Sequence, residues 1–389
     1  MRWERSYTPL AFIVVALACQ MAAIGVLTLT TRRAVAFVDD RFAIDYRAFY
    51  DASLDLRNGE DPYRSIRYVT PPTAALLNCP LTLLPFERAA WVAAAGTVIC
   101  LLLAHGASTA AFFRLGTGEG RAVLALGIAV MALSYPVYFL VYRGNIDAFV
   151  LAPMCLGLWL SGTRRVLAGA CLGLAAALKV YPLLLAVPLA IQRRHRVLAS
   201  AGVTLALFIA LAPGLWLEGA NRMLWRTSRF EMRENGSLAC TFAFIGGAVV
   251  GQADAARSPG TWRALGLGAF GVLLALSAIA DWRARGRRSE DEQRAAAFMY
   301  LPFMAAVPEL SYHYSLVVLL PLMAPLAYLW CRSGPRPPKG LLLIAAGLAL
   351  AQVQAVACGC LVGSGVPYCI PGLGLLLVLI GCVRWKLAS

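Results

Sequence analysis

Residues Leu167–Ala190 read LAGACLGLAAALKVYPLLLAVPLA. The stretch is apolar or small almost throughout and carries a single charge, Lys179. A helix of about twenty such residues spans the hydrocarbon core of a bilayer. The same character runs through the chain, which is 60% hydrophobic and 14% charged, with mean hydropathy +0.69. The reading is therefore an all-α polytopic membrane protein. Long unbroken apolar runs exclude a β-barrel, whose strands alternate apolar and polar.

Working outward from that stretch, apolar segments fall at 9–29, 88–112, 121–142, 146–161, 165–178, 180–192, 196–217, 261–281, 296–308, 314–331, 340–360 and 368–383. They predict a bundle of about twelve transmembrane helices. We treat residues 1–389 as one domain, and no internal repeat of the inverted-repeat transporter kind is visible. Segments 165–178, 180–192 and 296–308 are short for a full crossing, as broken or tilted helices lining a protein-walled cavity are. Segment 9–29 is too long for a signal-peptide core and lacks a clear cleavage pattern, so it reads as a retained span. Residues 73–84, bracketed by prolines, and glycine-rich 238–250 read as re-entrant or interfacial pieces on the outer side.

The formal net charge of +15 sits mostly in short loops. Arg164–Arg165, Arg193–Arg196, Arg283–Arg288, Arg332–Lys339 and Arg384–Lys386 are therefore read as cytoplasmic. The first loop, about 32–72, then lies outside and both termini inside. No basic stripe with interleaved aromatics points to a nucleic acid. Most of the 11 cysteines lie within apolar spans, without zinc spacing, and read as small buried hydrophobes.

The most polar long segment is Asp39–Pro72, DDRFAIDYRAFYDASLDLRNGEDPYRSIRYVTPP. Its seven carboxylates need a reason so close to lipid. The spacing predicts a helix over 44–58 stopped by Gly59. Asp45, Phe49, Ala52 and Leu56 share one face, while Arg47, Asp51, Asp55 and Asn58 share another that reads as solvated. Asp45 is the carboxylate on the packing face. It suits a general base, an ion pair with an arginine, or a helix-start role.

Lys179 must snorkel to the surface or pair with an anion. Arg143 and Asn145, in YRGNID, lie on the outer side, where an arginine either meets a specific anion or belongs to a turn at Gly144. Arg222, Arg226, Arg229 and Arg233 recur at helical spacing, fit for a phosphate or for bulk lipid headgroups. His313, within SYHY, suits a sugar or phosphate contact or an interfacial aromatic belt. No Walker A, G-x-G-x-x-G, G-x-S-x-G or H-E-x-x-H motif stands in a fitting context.

The order DYRAFY (45–50), NGEDPY (58–63), TPPTAALL (70–77), RGN (143–145), AALKVYP (176–182), ENGSL (234–238) and SYHY (311–314) resembles glycosyltransferase family 87 of the C-type superfamily. The resemblance implies a GT-C-like bundle with an extracytoplasmic site in the cell membrane. It also implies a polyprenyl-phosphate sugar donor, a glycolipid or polysaccharide acceptor, and mannosyl- or arabinofuranosyltransferase activity. It makes Asp45 the base, with Asp39 and Asp40 as rivals on the same loop. Lys179, Arg143, Arg226 and Arg229 would hold the donor phosphate, and His313, Tyr63, Asn145 and Asn235 would contact substrate. No cofactor or metal is demanded. Mannosyltransferase members carry a double histidine where this chain has His313 between two tyrosines, so the sugar stays open. A transporter or flippase of lipid-linked substrates and a scaffolding subunit are the other classes. The first predicts internal symmetry, and the second leaves Lys179 and the outer carboxylates unused.

The topology is checked by labelling intact cells that carry a chain with its native cysteines replaced. Asn58→Cys should react with a membrane-impermeant maleimide and Arg287→Cys should not. The reverse pattern overturns the orientation.

Overall fold

The computed structural model describes residues 42–64, 68, 70–225, 259–306, 313–333, 337–351 and 370–388, with 15, 18, 241 and 242 besides. Among them the regular structure is helical throughout. The α-helices are α1 (Ile44–Arg57), α2 (Pro72–Asn78), α3 (Phe86–Phe112), α4 (Gly118–Leu133), α5 (Tyr135–Arg143), α6 (Asp147–Leu160), α7 (Arg165–Leu178) and α8 (Ala186–Ile191). They continue with α9 (His195–Leu211), α10 (Pro213–Trp225), α11 (Pro259–Ala284), α12 (Glu290–Phe298), α13 (Leu301–Ala306), α14 (Met323–Arg332), α15 (Lys339–Ala351) and α16 (Ile370–Ala388). Short 3₁₀ turns join several of these, among them Cys79–Leu83, Tyr181–Leu185 and His313–Leu322.

Among the described residues, Phe86–Phe112, Ala264–Ala284 and Ser315–Arg332 are each long and apolar enough to cross a membrane, and counting two bent pairs raises the number to five. The bent pairs fall where crossings at 121–142 and 196–217 are expected. α4 meets α5 at 63° and α9 meets α10 at 99°. Proline explains both breaks, because its ring removes an N–H and clashes with the preceding turn. Ser134, two residues before Pro136, is extended at φ −81° and ψ 121°. Ala212, directly before Pro213, leaves the helical region at φ −154° and ψ 64°.

The chain falls into two compact units, one of residues 38–107 and 139–227, the other of 1–37, 108–138 and 228–389. In the first, α1 follows its predicted course, with Asn58 as its cap and Gly59 behind it at φ +77°. It is buried more widely than one face, since Tyr46, Tyr50 and Ser53 are enclosed along with Phe49 and Ala52. The cover is the proline-bracketed 72–84 piece. The Tyr46 hydroxyl donates to Asn78 Oδ1 at 3.1 Å, Tyr50 to the Leu84 carbonyl at 2.8 Å, and Arg57 to the Thr82 carbonyl at 2.8 Å. Burial, opposed by the Asn78 bond, pushes the Tyr46 hydroxyl up to about 12.

Beneath this, α7 packs between α6 and α9. Gly169 and Gly173, four residues apart on α7, let the backbone of α9 approach so closely that an added Cβ would stand 2.4 and 2.6 Å from the carbonyls of Val197 and Ala201. Small residues at this spacing are how helices associate in lipid, where no hydrophobic effect draws them together.

The second unit uses the same device. Gly340 and Gly347 of α15 lie against Gly381 and Gly374 of α16. One charged group is enclosed there. Lys386 Nζ donates to Asp281 Oδ2 at 2.8 Å and Arg288 Nη1 to Asp281 Oδ1 at 2.5 Å, all three side chains being at most 5% exposed. The Tyr300 ring lies 3.5 Å from the Lys386 ammonium.

The turn between α5 and α6 sets up the geometry of the first unit. Gly144 closes α5 at φ +69°, its N–H bonded to the Leu140 carbonyl at 2.9 Å. An added Cβ would lie 2.6 Å from Tyr46 Cβ. Ala43, which starts α1 at φ 59°, donates its N–H to the Tyr142 carbonyl at 2.8 Å. Gly144→Ala should therefore destabilise the protein by about 1–3 kcal/mol through backbone strain. Thermal unfolding in detergent checks this, with Gly202→Ala, inside α9 where a Cβ meets nothing within 4 Å, as the control that should not lower stability.

Candidate active site

The paired turns at Ala43 and Gly144 bring the first turn of α1 against the end of α5. Arg143 Nη2 donates to Asp45 Oδ1 at 2.8 Å, and Asn145 Nδ2 donates to Asp45 Oδ2 at 3.3 Å. The partners lie about a hundred residues apart in sequence (|i−j| 98 and 100). The Asp45 and Arg143 side chains keep 17% and 22% of their surface open, so the pair stands at the edge of the fold. Among the described residues each Asp45 oxygen has one donor, whereas a carboxylate has about four lone-pair sites, so capacity remains for a hydroxyl. The Arg143 guanidinium also lies 5.6 Å from the Phe139 ring centroid.

Lys179 reaches the same place from another direction. α7 stops at Leu178, and Lys179 is extended at φ −147° and ψ 146° ahead of Pro182. Its ammonium donates to Asn145 Oδ1 at 3.1 Å and to Asp147 Oδ1. The Tyr181 hydroxyl donates to that Asp147 oxygen at 3.1 Å. Asp147 lies in the first turn of α6, where the helix dipole favours a negative charge, and its side chain is only 1% exposed. Its N–H donates back to Asn145 Oδ1 at 3.3 Å.

The outcome is one hydrogen-bonded set in which two ion pairs, Asp45–Arg143 and Asp147–Lys179, share the amide of Asn145. Of the residues expected from sequence, Asp45, Arg143, Asn145 and Lys179 come together. Tyr63 is fully buried in the first unit, donating to the Thr70 carbonyl at 3.0 Å. His313 opens a 3₁₀ segment. Asp39, Asp40, Arg226, Arg229 and Asn235 lie outside the described residues. Arg47, on the face of α1 read as solvated, lays its guanidinium 3.9 Å from the Phe86 ring centroid.

Asp147 and Tyr181 are the members that reading the sequence misses. Tyr181 stands within KVYP, two residues from Lys179. Asp147 offers one signal, a carboxylate opening an apolar run with a lysine breaking the next.

The set can take a proton on Asp45 and can present cationic N–H groups to an anion. Among the described residues no group of three His, Cys, Asp or Glu side chains is placed to hold a metal ion. Residues 68–308 match the family model of glycosyltransferase family 87. The matched span takes in Arg143, Asn145, Asp147 and Lys179 and begins after Asp45. Since it covers well over half of the 389 residues, this membrane protein belongs to glycosyltransferase family 87.

Proposed function

We propose that the protein transfers a sugar from a polyprenyl-phosphate donor to a hydroxyl of a cell-envelope glycolipid or polysaccharide. The reaction takes place on the extracytoplasmic side of the cell membrane, within a GT-C-like multi-pass bundle. The observation that carries this reading is the convergence of Asp45, Arg143, Asn145 and Lys179 from three separate segments into one hydrogen-bonded set.

The chemistry follows from what each group can hold. Asp45 takes the proton of the acceptor hydroxyl. The oxygen then forms its bond to the anomeric carbon, and the bond from that carbon to the phosphate oxygen breaks with its electron pair staying on the phosphate. Phosphate leaves well without a protonating acid, provided its charge is met. Arg143 and Lys179 meet it with N–H donors already in place, worth a few kcal/mol per donor in sites of this kind. Arg143 is shared: in the structure it neutralises Asp45, and in the reaction it also faces the phosphate.

Asp45→Asn keeps the size and a hydrogen-bonding oxygen but loses the base. General-base catalysis contributes about 10²- to 10⁴-fold, so turnover should fall by at least about a hundredfold. The assay is transfer from a radiolabelled polyprenyl-phosphate sugar by the purified protein. Asp55→Asn, on the other face of α1, should change little. Loss in Asp39→Asn or Asp40→Asn with a normal Asp45→Asn moves the base upstream. Near-normal transfer by all three sinks the mechanism.

A further inference from the structure

Any phosphate bound at this site must also leave it. The two ion pairs sum to zero charge, so Lys179 is not a bare cation awaiting a ligand. An ammonium has three N–H donors. Two of them are committed, to Asp147 Oδ1 and Asn145 Oδ1, and both acceptors are themselves fixed. Asp147 is held by the Tyr181 hydroxyl on the same oxygen, and the Asn145 oxygen is held by the Asp147 N–H. The third N–H belongs to a side chain that is 18% exposed, whereas Asp147 behind it is sealed at 1%.

We propose that Asp147 is the positioning residue of the phosphate subsite, aiming the Lys179 ammonium and tempering its charge so that the lipid phosphate binds and departs. This rests on the polyprenyl-phosphate reading above. Asp147 touches no substrate; it acts through Lys179. A plain structural tie between the start of α6 and the end of α7 would use the same contacts, and its removal would change affinity by charge alone without slowing turnover of the folded variant.

The two roles separate on binding and turnover read together. Asp147→Asn keeps the shape and an oxygen for Lys179 and Tyr181 while adding one net positive charge to the site. At the few ångströms involved, that charge should tighten an anion by about tenfold or more. The measurement is calorimetric titration of purified protein in detergent with farnesyl phosphate, a short polyprenyl phosphate, and with inorganic phosphate. Thermal unfolding is run alongside. The expected result is a lower Kd for farnesyl phosphate and a reduced kcat, with no rise in donor KM. A folded variant with unchanged or weaker binding, or with unchanged kcat, overturns the proposal. A gain shared by inorganic phosphate assigns the effect to the phosphate alone, and a gain confined to farnesyl phosphate assigns it to the lipid phosphate; either upholds it.

A second comparison covers a failure of Asp147→Asn to fold. Lys179→Gln leaves Asp147 uncompensated and should weaken farnesyl phosphate by about tenfold or more. Adding Asp147→Asn to that background restores the net charge but not the ammonium donor, so binding should stay well below wild type; full recovery overturns the proposal. If the wild-type protein binds no farnesyl phosphate while its unfolding is normal, the donor reading itself fails and the assignment of Asp147 falls with it.

Discussion

The amide of Asn145 has one oxygen and one NH₂, and the two ion pairs of the site require one of each. Lys179 and the Asp147 N–H occupy the oxygen, which turns the NH₂ toward Asp45. A charge in apolar surroundings is costly unless it is both paired and hydrogen-bonded. Neither pair meets that standard by itself: Asp45 has a second oxygen to satisfy, and Lys179 has further N–H groups. Asn145 supplies both needs at once. An aspartate there would face Asp45 with a like charge, and an alanine would leave both pairs short of a partner.

That amide is where it is because of two left-handed residues and one helix break. Ala43 and Gly144 bind the ends of α1 and α5 together, and the halt of α7 before Pro182 releases Lys179 from the helix. Around them, α7 and α9 meet through glycines, as α15 and α16 do in the other unit. Close backbone contact keeps such helices rigid where hydrophobic driving force is absent. The site is thus carried on loop ends held by packed helices, the usual way a fold combines precise positioning with open access.

Much of this is readable in the sequence, and the exceptions share a cause. The course of α1 follows from local spacing and a glycine stop, so it is legible. Lys179 is conspicuous because a lone charge in an apolar run must have a reason. Its counter-ion is not, because Asp147 lies 32 residues away and an aspartate at a helix start is ordinary. Arg143 reads as a cation for an external anion, since nothing local reveals a carboxylate 98 residues earlier. The breaks at Ser134 and Ala212 are marked by Pro136 and Pro213, but hydropathy averaged over a whole crossing passes over single prolines. Periodicity reports what a residue's neighbours in sequence are; pairing between distant segments appears only in three dimensions.

The enclosed charges of the second unit bear on how the chain is made. Asp281 and Arg288 are seven residues apart and meet as soon as α11 and the turn after it exist, whereas Lys386 follows Asp281 by 105 residues. During synthesis, then, the earlier two must stand for a long interval with the place of the lysine unfilled and the Tyr300 ring uncovered by it. Arrival of α16 seals them. By supplying Lys386, α16 thus closes a charge cluster that α11 and the turn after it leave open.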